Sequence, residues 1–236
     1  MRDEIELYVG IVDEARAAAS YDACWAILSP DGKLRAARFI FAPHRQHYVL
    51  AHGLLRNALS DAARQIAPSE WSFRFDRYGR PFVAGPADPE QLYFSLSHTD
   101  GCVACVVSGY EEIGVDVERV QERAFLLETA ATAFSAEEMQ CLRELTGDEL
   151  IERFFTYWTL REAFLKAKGR GLDFPLNAFS IHVSGDRMEL TCGPSIDEDP
   201  ARWHFAIDAP SPLHRLAIAD GSGAKDLAIV RHPWPV

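Results

Sequence analysis

Three carboxylates and one ammonium in this 236-residue chain have types and spacings that could do chemistry together. Glu162 and Lys166 stand four apart in the segment from Glu152 to Leu172, which reads as one long helix. Residues four apart on a helix are surface neighbours, so Trp158, Glu162 and Lys166 form one stripe. An E-x-x-x-K pair is by default a surface ion pair; what raises it here lies upstream. Asp116 and Glu118 sit two apart in Ile113–Glu118, an apolar run that reads as a strand and turns both acids to one side. Hard oxygens from a strand and a helix, beside a lysine, suit Mg²⁺ and a phosphate. Lys166 would neutralise charge developing on a transferred phosphate. Glu162, or a water it holds, would take a proton from an attacking hydroxyl. Direct coordination to a cation lowers a carboxylate's basicity, so the two roles compete at Glu162.

The elements that position these groups follow from periodicity and punctuation. Glu4–Ile11 alternates and reads as a strand, Tyr21–Leu28 as an apolar element, and Ser29-Pro30-Asp31-Gly32 as a turn. A basic, helix-compatible stretch from Lys33 to Phe39 precedes a helix opened by Pro43 and running to about Ile66. It bears His44, His47 and His52, whose spacing fits solvated or ligand-facing side chains better than a metal site. Asp76–Pro81 is a turn that lifts Arg80 between glycine and proline. The strand Leu92–Leu96 runs into Ser97 and His98, a hydroxyl and imidazole placed to bind phosphate; no G-x-S-x-G surrounds them, which argues against a hydrolase. Cys102 and Cys105 form a C-x-x-C, but in a buried strand they point to opposite faces and act as small hydrophobes. Ser135 and Glu138 spell a capping box for a helix ending near Gly147. After Asn177, short alternating segments separated by turn residues predict an antiparallel sheet. Each half of the chain thus holds helix plus strands.

Composition bounds the rest. The net charge of −11 argues against general nucleic-acid binding. The charge is uneven, though: Lys33–Arg80 carries nine Lys or Arg against three acids, +6 locally and therefore −17 elsewhere. A basic segment inside an acidic protein suggests a localised anionic ligand, with Arg56 and Arg64 merely solvating a helix face. Five cysteines, an odd number without framework spacing, fit reduced thiols. No apolar run approaches the ~20 residues that span a bilayer. The N-terminus lacks a secretory pattern, so a cytoplasmic protein is expected.

At this point four motifs combine: Tyr78-Gly79-Arg80-Pro81, Phe94-Ser95-Leu96-Ser97-His98-Thr99, Gly114-Val115-Asp116-Val117-Glu118, and Trp158 through Lys166 (WTLREAFLK). In this order they resemble the 4'-phosphopantetheinyl transferases of the surfactin-synthetase-activating type. The resemblance covers residues 78–172 closely and the ends only in layout. It implies an α+β fold, a pseudo-dimer of two similar subdomains, each a small, mostly antiparallel sheet packed with helices. Residues 1–111 would form the subdomain meeting the coenzyme A 3'-phosphate and adenine, and 112–236 the subdomain with the metal and catalytic groups. The implied reaction moves 4'-phosphopantetheine from coenzyme A, the co-substrate, to a serine of an apo acyl or peptidyl carrier protein, releasing adenosine 3',5'-bisphosphate. Asp116, Glu118 and Glu162 would hold Mg²⁺, and Lys166 would touch the phosphate. Ser97, His98, Arg80, Lys33, Arg35 and Arg45 would meet the nucleotide and its phosphates. Arg80 and Arg161 stand where lysine is common in the family, and Pro43–His47 departs from its pattern.

Two other classes fit parts of the pattern: a Mg²⁺-dependent nuclease, which the acidic net charge opposes, and a non-catalytic module binding coenzyme A or a carrier. The expected partners are coenzyme A and an apo carrier protein, with no nucleic acid and no membrane, acting as a monomer. Phe125, Leu126 and Met139 are the candidate apolar docking residues for the carrier.

Overall fold

The computed structural model describes residues 4–86, 91–122, 124–171, 174–224 and 228–232. In chain order its strands and α-helices are β1 (Glu4–Ile11), α1 (Glu14–Ile27), α2 (Pro30–Ala37), α3 (Ala42–Ala62), β2 (Ser72–Phe75), β3 (Pro81–Gly85), β4 (Tyr93–Thr99), β5 (Cys102–Ser108), β6 (Ile113–Arg119), α4 (Leu126–Ala133), α5 (Ala136–Arg143), α6 (Gly147–Lys168), β7 (Phe179–Ser184), β8 (Arg187–Cys192), β9 (His204–Asp208), β10 (His214–Asp220) and β11 (Ala228–His232).

Two sheets organise the molecule: a four-stranded sheet in the order β11-β1-β5-β4 and a three-stranded sheet in the order β6-β10-β9. Two hairpins, β2–β3 and β7–β8, flank them. All strand pairs are antiparallel except β1 with β11, which run parallel. The alternation read in β1 has a direct consequence. Ile5, Leu7 and Val9 enter the core between the two sheets, where they meet Ile113, Val115, Val117, Leu216 and Ile218. Tyr8 faces the other way, into the core built with α3 around Leu54, Leu55, Leu59 and Trp71. Cys102 and Cys105 divide likewise, one in each core, as their spacing on a strand requires. On its far side the second sheet is covered by α6, whose Leu160, Ala163, Phe164 and Ala167 pack on Ala217 and Ala219. A long helix on the outer face of each sheet is the expected α+β layout.

Three local expectations are corrected and one is made definite. Ser29–Gly32 is a helix start rather than a turn: the Ser29 hydroxyl accepts the Gly32 N–H at 3.1 Å and Pro30 opens α2. The apolar stretch from Tyr21 is the second half of α1, a helix capped by Asp13. The capping box is present, but α5 stops at Arg143 rather than near Gly147. Arg56 does not solvate a helix face. It is 3% exposed and donates to the carbonyls of Pro68 and Trp71 at 3.0 and 2.7 Å, tying α3 to the loop before β2.

One contact fixes the relation of helix to strand at the site. A Cβ on Gly114 would lie 1.9 Å from the Ala163 carbonyl oxygen and 2.7 Å from the Ala167 nitrogen. Only glycine lets α6 cross β6 at this distance. Asp116 stands two residues along β6, and Glu162 and Lys166 flank the crossing on α6.

Candidate active site

Asp116 is 5% exposed, yet it sits beside a charge partner rather than among carbons alone. Its Oδ1 accepts from Lys166 Nζ at 2.7 Å and from the Ser97 hydroxyl at 2.8 Å. Lys166 spends its other protons on Ser97 Oγ at 2.9 Å and the Val115 carbonyl at 3.1 Å. Three elements, β4, β6 and α6, therefore meet through one ammonium. The second carboxylate oxygen, Oδ2, is buried and has no hydrogen-bond partner. A buried carboxylate oxygen left over next to a second acid suits a hard cation, which needs only one or two protein carboxylates.

That second acid is Glu162. Burial, then the negative charge of Asp116, pushes its carboxyl above the usual glutamate value, against the opposing pull of Lys166 and Arg161. A carboxyl raised in this way sits closer to the range useful for taking a proton. Glu118 lies on the same side of β6 as Asp116 and is half-buried. Among the described residues no three His, Cys, Asp or Glu are gathered closely enough to cage a metal by themselves. Asp116, Glu118 and Glu162, all among the described residues, do not form such a group.

Glu162 and Lys166 line a cavity of about 350 Å³, whose far wall is the β2–β3 hairpin with Tyr78, Gly79, Arg80 and Pro81, and Phe94 and Leu96 of β4. Arg80 reaches across it: its guanidinium donates to the Ala167 carbonyl at 3.3 Å and to the Glu111 carbonyl. It thereby caps the C-terminal end of α6, where Gly169 takes the left-handed conformation at φ +63°. His98 follows Ser97 on β4. Burial, then His47, Lys166 and His44, lower its pKa, so three imidazoles and an ammonium share one neighbourhood.

Lys33 and Arg35 lie on α2, and Arg45 lies on α3. Lys33 lies 6.0 Å above the Trp25 ring, Arg35 stacks 4.7 Å over Phe75, and Arg45 borders a hollow beside Tyr21 and Asp22. His52, read as solvated or ligand-facing, is half-buried: it packs 4.2 Å from the Tyr48 ring, and burial lowers its pKa to about 4. Of the three proposed docking residues, Leu126 and Met139 are buried in the cluster around Phe134 and Phe154, because α4 and α5 close over α6; Phe125 is 72% exposed.

Sequence reasoning missed the Glu138–Arg161 pair. Glu138, the third residue of the capping box, receives Arg161 Nη1 on both oxygens at 3.0 and 2.7 Å, the Ile181 N–H at 2.9 Å and the Ser135 N–H at 2.9 Å. Arg161 also donates to the carbonyls of Phe179 at 3.2 Å, Ala133 at 2.7 Å, and Leu176. The signal was there: a capping glutamate 23 residues before an arginine on the apolar side of the next long helix.

With this geometry in place, the relatives can be set beside it. Residues 112–219 match the family described as the 4'-phosphopantetheinyl transferase superfamily. The chain is 31% identical over 172 residues to the 4'-phosphopantetheinyl transferase HetI of Nostoc, covering 73% of this chain and 71% of that one. It is 26% identical over 182 residues to the 4'-phosphopantetheinyl transferase Sfp of Bacillus subtilis, covering 77% and 78%. A crystal structure of a holo-(acyl-carrier-protein) synthase from Bacillus anthracis in complex with CoA overlaps 45% of this chain and 91% of its own at TM-score 0.37 and 19% identity.

Proposed function

We infer the reaction from the premise that this chain belongs to the 4'-phosphopantetheinyl transferase superfamily. It is a transferase, and the non-catalytic alternative falls away. The proposed substrates are coenzyme A and an apo carrier protein. The observation that carries this reading is the buried, unpartnered Oδ2 of Asp116 beside Glu162 and Lys166.

In the proposed reaction a carrier serine hydroxyl attacks the phosphorus bonded to the pantetheine oxygen. The serine O–P bond forms as the bridging P–O bond breaks, and adenosine 3',5'-bisphosphate leaves with that oxygen. Glu162 Oε, directly or through one water, takes the serine proton; its raised pKa supports that role. Lys166 turns from Asp116 toward the departing phosphate and offsets the charge that builds there. Asp116 and Glu118 would hold Mg²⁺ directly and Glu162 through a water, so that Glu162 keeps its basicity; the ion when bound withdraws charge from the diphosphate. The cavity between the β2–β3 hairpin and α6, lined by Tyr78, Arg80 and Lys166, would take the adenine, and His98 would meet a phosphate of the nucleotide. Purified protein with coenzyme A, Mg²⁺ and an apo carrier should raise the carrier's intact mass by one phosphopantetheine. If no apo acyl or peptidyl carrier gains that mass, the proposal is wrong.

Among the described residues no helix is long and apolar enough to cross a membrane. We propose further that the protein works in the cytoplasm as a monomer.

A further inference from the structure

Ser95, Ser97 and Thr99 alternate along β4, and each hydroxyl accepts one backbone N–H from β6. Val115 donates to Ser95 at 3.1 Å, Val117 to Ser97 at 3.3 Å and Arg119 to Thr99 at 3.3 Å. The sequence separation is 20 at every rung, so the two strands run parallel in one fixed register. They belong to different sheets, and each is an edge strand of its own. In antiparallel pairing only alternate N–H groups of β6 turn toward β10, which leaves those of 115, 117 and 119 pointing away from it. Hydroxyls on short side chains here take the place of a neighbouring backbone. They close an edge that would otherwise bury unsatisfied donors.

We propose that this hydroxyl ladder sets the acids of β6 against α6, and that its middle rung, Ser97, is a positioning residue for the transfer. A hydroxyl has one proton and two lone pairs. Ser97 gives its proton to Asp116 Oδ1 and takes protons from Lys166 Nζ and Val117 N, so its capacity is full. One oxygen therefore fixes the Asp116 carboxylate plane, the resting place of the Lys166 ammonium, and the height of β6 against β4. It also keeps Asp116 Oδ2 turned away from both partners. In this role Ser97 acts through Asp116 and Lys166. The outer rungs hold the register, while the middle one sets the reacting geometry. The kinetic part of this inference rests on the transferase reading; the ladder itself does not.

The test combines amide-resolved hydrogen exchange with kinetics on Ser97→Ala, Ser97→Thr and Ser95→Ala. In Ser97→Ala the Val117 amide should exchange at least about tenfold faster, with Val115 and Arg119 much less affected. Its kcat should fall at least about tenfold while KM for coenzyme A stays within about twofold. Ser97→Thr keeps the hydroxyl and should restore both. Ser95→Ala should open Val115 selectively, and it provides the exchange readout should Ser97→Ala fail to fold. Unchanged Val117 exchange in Ser97→Ala overturns the ladder. Full kcat with an opened Val117 amide overturns the positioning role, as does failure of Ser97→Thr to restore turnover. If the wild-type protein modifies no carrier, the transferase reading falls, and the exchange data still decide whether the ladder exists.

Discussion

Two of the cation–carboxylate pairs on α6, Arg161–Glu138 and Lys166–Asp116, are finished differently. At Glu138–Arg161 both side chains are nearly sealed, 2% and 3% exposed, and both carboxylate oxygens have two donors each. At Asp116–Lys166 the lysine side chain is 31% exposed, one carboxylate oxygen takes two donors and the other takes none. The first pair joins α5, α6 and β7 and has nothing left to offer a ligand. The second keeps an oxygen in reserve beside a cavity. Burial alone does not separate structure from chemistry, since Asp116 and Glu138 are both buried. The count of uncommitted lone pairs does.

This contrast can be broken in four ways. The largest effect is expected at the reserve oxygen. Asp116→Ala should take carrier modification below detection, and Glu162→Gln should lower kcat by roughly 10²–10⁴-fold, while both proteins still unfold cooperatively. Intact-mass assays alongside thermal denaturation read both quantities; retained turnover in either variant would put that acid outside the chemistry. Next comes the sealed pair. Glu138→Ala strands a buried guanidinium and should cost about 3–5 kcal/mol, or roughly 6–20 °C in Tm, with turnover per folded molecule unchanged. A Tm within a degree or two of wild type would mean the pair holds nothing together.

A third measurement separates acid sensitivity that belongs to neither pair. His52 has its folded pKa lowered to about 4 by burial, against an ordinary value of 6.5. Its unfolded form binds the proton more tightly, so its stabilising effect is complete above pH ~6.5 and is lost as pH falls toward ~4, by at most about 3 kcal/mol. Denaturant melts of His52→Gln across that window should be flatter than those of wild type. The smallest effect concerns Glu162. Its raised pKa means the folded chain holds the proton more tightly than the unfolded one. Its contribution to stability is therefore present in acid and lost as pH rises through the raised value. Glu162→Gln should be slightly more stable than wild type at neutral pH, and that gain should shrink on acidification. In the wild type, turnover should fall over the same acid range as the base is protonated. A stability difference independent of pH would argue that Glu162 has an ordinary pKa.

How much of this was readable beforehand depended on the range of the interaction. The stripe of Glu162 and Lys166 and the shared side of Asp116 and Glu118 follow from periods of 3.6 and 2, so the sequence motifs carried them. The capping box is local as well, and it is found. What sequence could not rank was non-local. Gly114 looks like any glycine in a strand until the Ala163 carbonyl stands against it. Arg56 read as a charge on a helix face and the structural role of Arg161 went unread, because the carbonyls and the carboxylate that accept their protons come from 12 to 28 residues away. Ser29 misled in the opposite sense: serine and proline open turns and helices with the same chemistry, and only the continuation through Ala37 decides. Leu126 and Met139 looked available because nothing in their own segments reveals the cover that α4 and α5 make over α6.

The parallel pairing of β11 with β1, from Glu4 opposite Ala228 to Tyr8 opposite His232, carries a consequence for how the protein is made. Among the described strands a ribosome completes β1 first and β11 last, so one border of the founding sheet stays open while all the strands between them are made. Until the final strand arrives, that border is a template any extended segment could occupy. Its rightful occupant is also the most distant strand in the chain, a closure that favours late and slow completion over early local collapse.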